Sequence, residues 1–179
     1  MALNTGIVFY EGGKPQQRNK PHTHWKPLSN AQDVTLSIIS DDTAYSGGTF
    51  LRARTTTAGG SIALDLDAYI RNNSIVDYAQ DDTSIFPASI GVFAQIRTIP
   101  GRMPVSGRLV LWQLRVNSTY LPNHPDTSFT VGPQWTLITN HLTFVPGNAA
   151  NQGGAEKMRI EFYIDTVDTD FDIGMVIAV

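Results

Sequence analysis

The chain has no cysteine among its 179 residues. That excludes a disulfide framework, a thiolate zinc site and a cysteine nucleophile, and leaves packing to hold the fold. Charge is sparse too: 16% of residues are charged, and 13 basic against 16 acidic side chains leave a formal net charge of -3. With a pI near 5.7, the basic excess that marks a nucleic-acid binder is missing. No apolar run approaches the roughly 18 residues of a membrane-spanning helix. The opening Met1 to Gly6 lacks the charged n-region and apolar h-region of a secretory signal, so the expectation is a chain made and released in a cytosol. Gly-x-Ser-x-Gly, His-Glu-x-x-His, Walker-type and Rossmann-type motifs are all lacking, and with them the familiar catalytic signatures.

What is there is alternation. From Lys157 to Asp165, the residues Met158, Ile160, Phe162 and Ile164 interleave with Lys157, Arg159, Glu161, Tyr163 and Asp165. A helix would repeat its apolar residues at three- and four-residue spacing, so this stretch is a strand with one core face and one wet face. The same pattern predicts strands over Asp33–Ile39, Thr49–Thr56, Ser61–Ile70, Ala88–Ile99, Gly107–Asn117, Trp135–Val145 and Asp170–Val179, with another at Thr5–Tyr10. Glycine, proline, asparagine and aspartate punctuate them at turn-like intervals. No segment reads as a long helix. The chain is therefore expected to be all-β, a two-sheet antiparallel β-sandwich of jelly-roll type, with an up-and-down barrel as the alternative. At this length a single domain over residues 1–179 can bury roughly 70% of its unfolded surface.

Three stretches depart from the pattern. Residues 11–30 carry Lys14, Arg18, Lys20 and Lys26 against Glu11, while Pro15, Pro21 and Pro27 forbid helix or central strand. They are read as an extended basic arm or long loop, and such loops are commonly functional. Arg18, Lys20, Trp25 and Lys26 are its candidate partner-binding residues, Trp25 being the one tryptophan outside any strand pattern. Asn72–Pro87, with Asp77, Asp81 and Asp82, reads as an exposed connection, and Pro146–Ala155 as a flexible turn.

Several short motifs resemble a known family in their order. Ala44-Tyr45-Ser46-Gly47-Gly48-Thr49-Phe50-Leu51-Arg52-Ala53 is similar to the opening of the galactose-binding-like jelly rolls, among them carbohydrate-binding module families 4, 9 and 22. Phe93-Ala94-Gln95-Ile96-Arg97 resembles their aromatic-Ser/Ala-x-aliphatic-Arg strand, without the usual tryptophan. Gly132-Pro133-Gln134-Trp135-Thr136-Leu137-Ile138, followed by Leu142-Thr143-Phe144-Val145-Pro146, resembles their Trp-Thr strand running into an x-Phe-x-Val-Pro strand. Where the family has a closing Asp-Asp-Val triplet, Met158 to Ile164 is followed by Phe171-Asp172-Ile173-Gly174-Met175-Val176, which matches in placement but lacks the triplet. The resemblance spans roughly the last three quarters of the chain and implies a jelly roll first and a glycan ligand second.

Candidate chemistry is limited. Asp168, Asp170 and Asp172 alternate, so on a strand they would share one side, where three carboxylates call for a cation or solvent. The run fails as an EF-hand, with Ile173 in place of the glycine and Val179 in place of the glutamate. The family resemblance implies a structural calcium near the chain ends, which would fall at Asp172; no cofactor is otherwise required. His22 and His24 offer a metal only two ligands. Glu161 is the one strand glutamate placed for carboxylate-pair glycoside hydrolysis, but its polar neighbours make it read as an exposed strand-face residue.

Binding has more to build on. Gln95 and Arg97, Gln113 and Arg115, and Arg159, Glu161 and Tyr163 lie on the polar sides of three strands, and would form one polar patch if those strands share a sheet. Amide, guanidinium and carboxylate groups match sugar hydroxyls. Trp112, alternating with Val110, Leu114 and Val116, and likewise Trp135, read as core. The expected function is a non-catalytic, carbohydrate-binding-module-like protein, acting as a bacteriophage virion accessory in capsid decoration or tail attachment. Its partners would be virion subunits or cell-surface glycans, not nucleic acid or membrane, and the arm would favour a homo-oligomer. It would be located in the virion. The alternative is a module associated with a secreted, extracellular polysaccharide-degrading enzyme.

Overall fold

The computed structural model describes residues 7–10, 25–45, 48–65, 89–115, 118–144, 155 and 157–178. The strands are β1 (Ile7–Tyr10), β2 (Lys26–Pro27), β3 (Val34–Asp41), β4 (Gly48–Thr55), β5 (Gly60–Asp65), β6 (Ser89–Thr98), β7 (Val105–Leu114), β8 (Asp126–Val131), β9 (Thr136–Thr143), β10 (Lys157–Ile164) and β11 (Thr169–Ala178). They form two antiparallel sheets, in the orders β3-β4-β11-β6-β9 and β2-β5-β10-β7-β8, with β1 also paired to β11 in the first. This is the expected two-sheet sandwich, not a single closed barrel.

The core lies where the inner rows meet. From the first sheet come Leu51, Ala53, Ile90, Val92, Ala94, Ile96, Phe171 and Ile173; from the second come Ile62, Leu64, Leu109, Leu111, Ile160 and Phe162. Phe171 stacks on Phe129 at 5.6 Å and 11°, and Phe162 leans against Phe171 at the same distance, so three rings from β8, β10 and β11 tie the sheets together. Each pair adds about 0.5–1.5 kcal/mol beyond the burial itself.

Two corrections come from the register. β7 carries apolar residues of both parities, and its partner decides which go inward: Leu109 and Leu111 stand opposite Phe162 and Ile160 of β10. Trp112 is therefore on the outer face rather than in the core. Gln113, expected on the polar side, is fully buried and donates to the carbonyls of Pro122 and Asn123. The second correction concerns the arm. Its described end runs along β5, with Lys26 opposite Ala63, and Trp25 is 4% exposed, 5.9 Å from the Phe162 ring. Burial of its large apolar surface outweighs any role as an exposed anchor. Arg18 and Lys20 lie outside the described residues, as do His22 and His24. The sequence reading also passed over β8, where Phe129 and Val131 point inward between Ser128 and Thr130.

β11 changes partners midway. β4 pairs with Thr169 to Ile173, β1 with Val176 to Ala178, and the register against β6 slips by one residue at Gly174. A side chain at Gly174 would come within 2.8 Å of Tyr45 Cβ and 2.9 Å of the Trp135 ring. The bulge thus lets the indole lie close over the strand.

Gly107 makes the sharpest prediction about packing. A Cβ there would collide with the Tyr163 carbonyl oxygen and sit 2.8 Å from the Phe129 ring. Gly107→Ala is expected to destabilise the fold by about 3 kcal/mol, the upper end for overpacking. Thermal denaturation measures it, and an unchanged Tm would refute this packing of β7 against β8 and β10.

Candidate functional site

The seven predicted binding residues do not form one patch. Gln95 and Arg97 lie on β6 in the first sheet, whereas Gln113 belongs to the second sheet and points inward. Arg115, just past the end of β7, is half-buried, its backbone N–H bonded to the Thr119 carbonyl. Arg159, Glu161 and Tyr163 do stand together on the outer face of β10. The condition for a single patch, that the three strands share a sheet, is not met: β6 lies in the first sheet and β7 and β10 in the second, because topology and not periodicity decides which strands are neighbours.

Around β10 the outer face of the second sheet assembles a connected polar group. Register places Asp65, Arg159 and Trp112 in one row, Ala63, Glu161 and Val110 in the next, and Ser61, Tyr163 and Arg108 in the third. Glu161 is not exposed, as expected, but fully buried. One carboxylate oxygen accepts from Ser61 Oγ at 2.5 Å and the other from Trp112 Nε1 at 2.7 Å. The Ser61 hydroxyl in turn accepts from the Ser29 N–H at 2.9 Å, so the described end of the arm locks the carboxylate from behind. Burial without these donors would be prohibitive, and hydrogen bonds to a charged group are worth about 1.5–3 kcal/mol each.

Beside it, Arg159 forks onto Asp65, with Nε to Oδ1 at 2.6 Å and Nη2 to Oδ2 at 3.2 Å. Lys26 reaches the same carboxylate at 2.7 Å, and Arg159 Nη1 donates to the Tyr120 hydroxyl at 2.7 Å. Burial alone would raise the Asp65 pKa, but hydrogen bonds from Arg159 and Lys26 prevail and hold it below the ordinary carboxylate range. For Arg159, burial acts to lower the pKa, while the Asp65 bonds overcome it and raise the value. Tyr163 is pushed above the usual phenol range, first by burial. An aromatic rim completes the face. Tyr120 is 49% exposed and edge-on to Trp112 at 4.9 Å, and the His124 ring lies parallel to the indole at 4.6 Å and 19°.

Sequence reasoning missed Asp65, Trp112, Tyr120 and His124. The alternation of Ser61, Ala63 and Asp65 with Ile62 and Leu64 was a legible signal for Asp65. Nothing local marks Tyr120 and His124, which reach Arg159 of β10 and Trp112 of β7 respectively through the fold of the connection between β7 and β8.

The outer face of the first sheet is built differently. Asp172, fully buried, accepts from Arg52 Nε at 2.7 Å and Nη2 at 2.9 Å, and from Arg97 Nε at 3.1 Å. Arg97 is itself clamped between rings, 4.2 Å from the Trp135 centroid and 4.9 Å from that of Phe50. Arg54 pairs with Asp170 and Asp168. The three aspartates share one side, as expected, but their counter-charges are arginines. Calcium takes about six to eight oxygen ligands, whereas both Asp172 oxygens already accept guanidinium N–H groups. Among the described residues no three His, Asp or Glu side chains converge on a point. The donor set at Asp172 does not fit a calcium ion. Trp135, expected in the core, is half-buried on this outer face, its N–H bonded to the Thr43 carbonyl at 2.8 Å.

No family model matches the chain, and no curated protein matches it in sequence. Solved structures do share its fold. The CBM22-1 xylan-binding domain of Paenibacillus barcinonensis Xyn10C superposes with a TM-score of 0.64 at 10% identity, over 99% of this chain and 96% of that one. The C-terminal family 22 carbohydrate-binding module of Clostridium thermocellum Xyn10B gives 0.58 at 16% identity, over 100% and 96%. The enzymatically active domain of bacteriophage CBA120 tailspike protein 4 gives 0.60 at 12% identity, covering 96% of this chain but 21% of that one. At these identities the likeness establishes the β-sandwich fold.

Two measurements test the electrostatics. Because the Asp65 pKa is depressed in the folded state, its stabilisation is present above about pH 4, the unfolded value, and is lost as pH falls through the lowered one. The Tm advantage of the parent over Asp65→Asn is therefore expected to vanish in acid; an advantage that persists there would refute the ion pair. Asp172→Ala should cost about 3–5 kcal/mol by stranding buried guanidinium charge, while EDTA leaves the parent's Tm unchanged. A Tm lowered by EDTA would reinstate the calcium site.

Proposed function

We propose that the protein is a non-catalytic carbohydrate binder whose ligand lies on the outer face of the second sheet, across Lys26, Asp65, Trp112, Tyr120 and Arg159. One observation carries the reading: a rigid set of charged and hydroxyl groups, Arg159 with Asp65, Lys26 and the Tyr120 hydroxyl, sits directly beside an aromatic rim. Sugars present hydroxyls at their edges and C–H groups on their faces, and this face offers a counterpart to each. The xylan-binding domain and the family 22 carbohydrate-binding module that share the fold support the same ligand class. Hydrolysis is disfavoured by the bonding of the two carboxylates. Asp65 is held by two cations and Glu161 by two neutral donors, so neither is free to serve as acid, base or nucleophile.

Two settings suit such a binder. As a virion accessory protein in capsid decoration or tail attachment, it would touch host-surface glycans, and weak single sites would be multiplied by a homo-oligomer. The tailspike similarity favours this reading. As a module of a secreted polysaccharide-degrading enzyme, it would hold the enzyme on its substrate, which the xylanase-derived modules favour equally. Light scattering separates them: a defined oligomer supports the virion role and a monomer the enzyme-linked one.

The binding test is electrophoresis in gels containing soluble xylan, with a printed array of plant, bacterial and animal glycans. Tyr120→Ala is expected to weaken binding at least about tenfold, the scale of one or two lost ligand contacts, and to lower the Tm modestly as Arg159 loses a partner, with circular dichroism confirming that the fold is kept. Parent-like binding by that variant would move the site elsewhere. A parent that binds neither xylan nor any printed glycan would refute carbohydrate recognition.

A further inference from the structure

His124 has no part in the network beneath the candidate site, yet its ring is held in a specific place. The imidazole lies on the Trp112 indole at 4.6 Å and 19°. A ring stacked in this way covers the indole face, which is the apolar surface the C–H side of a sugar ring would otherwise contact. The indole is fixed from the other direction by its N–H bond to Glu161, so it cannot swing away from either occupant.

The connection that carries His124 is pinned at each neighbouring residue. The Leu121 N–H donates to the Gln113 carbonyl, and Gln113 Nε2 donates to the carbonyls of Pro122 and Asn123, at 2.9 Å in every case. Asn123, at φ 67°, turns the chain back and donates from its side chain to the Thr143 carbonyl at 3.0 Å. The Pro125 carbonyl accepts from the Leu111 N–H at 3.1 Å and from Asn140 Nδ2 at 3.0 Å. The backbone on both sides of His124 is thus bolted to β7 and β9. Its side chain is exposed and stacks on Trp112. Buried Gln113 holds this loop through those two bonds.

We infer that His124 sets the affinity and selectivity of the candidate site by occupying its aromatic subsite: the imidazole is a built-in stand-in that a ligand must displace to stack on Trp112. Ligands able to make the Arg159, Asp65 and Tyr120 contacts can drive the rotation, whereas those that depend on stacking alone cannot. The inference rests on the carbohydrate reading above and adds the reason the site discriminates.

The test compares the parent, His124→Ala and Tyr120→Ala on the same glycan array and in acrylamide quenching of tryptophan fluorescence. Removing the imidazole is expected to expose the indole to quencher, and to tighten binding by about three- to tenfold, the equivalent of one aromatic pair, with glycans appearing that the parent does not bind. His124 is exposed, so the Tm should hold, and the circular dichroism spectrum checks the fold. Weaker binding by His124→Ala would make the imidazole part of the sugar platform and overturn the inference. So would unchanged quenching, or an array pattern identical to the parent's, blank or not. Loss of binding in Tyr120→Ala with no gain in His124→Ala defeats this inference alone. A blank array for all three proteins defeats the carbohydrate reading as well.

Discussion

Each sheet is built around a carboxylate removed from water. Asp172 sits in β11, flanked by β4 and β6, and Glu161 in β10, flanked by β5 and β7; both are fully buried on the outer side of their sheet. A carboxylate in that position must be compensated by its cross-strand neighbours or the strand cannot remain central. The remaining outer-face arrangement follows from how each is compensated.

The two solutions differ, and the difference separates a structural face from a candidate binding face. Asp172 is neutralised by two guanidinium groups, and the ring of Trp135 closes over Arg97 at 4.2 Å. Both Asp172 oxygens and the Nε of each arginine are engaged internally. Glu161 is instead held by neutral donors from Ser61 and Trp112. The cations of that face go to Asp65, which is only partly buried, so the polar group continues outward to Lys26, Tyr120 and the aromatic rim.

Rigidity has the same source. The Ser29 N–H, the Ser61 hydroxyl, Glu161 and Trp112 form a chain of bonds from β2's flank through β5 and β10 to β7. Trp112 then supports Tyr120 and His124 from the β7–β8 connection. A surface made this way is preorganised, because its aromatic base is fixed by a buried carboxylate rather than by loop packing alone.

The sequence by itself determined the class of fold and most of its strands, since period-two alternation, as in Met158 to Ile164, has no other solution than a half-buried strand. It also established that Asp168, Asp170 and Asp172 share a side, and that Arg159, Glu161 and Tyr163 do. Where both parities are apolar, as in Gly107 to Leu114, alternation is silent, and the orientation of Trp112 and Gln113 was settled by the partner strand β10. Which polar rows become neighbours was likewise beyond the sequence. Gln95 and Arg97 were separated from Arg159 because β6 entered the other sheet, and Asp172 met arginines rather than a metal because β4 and β6 flank it. Local periodicity specifies which way a side chain points; only the tertiary pairing of strands distant in sequence specifies what it meets.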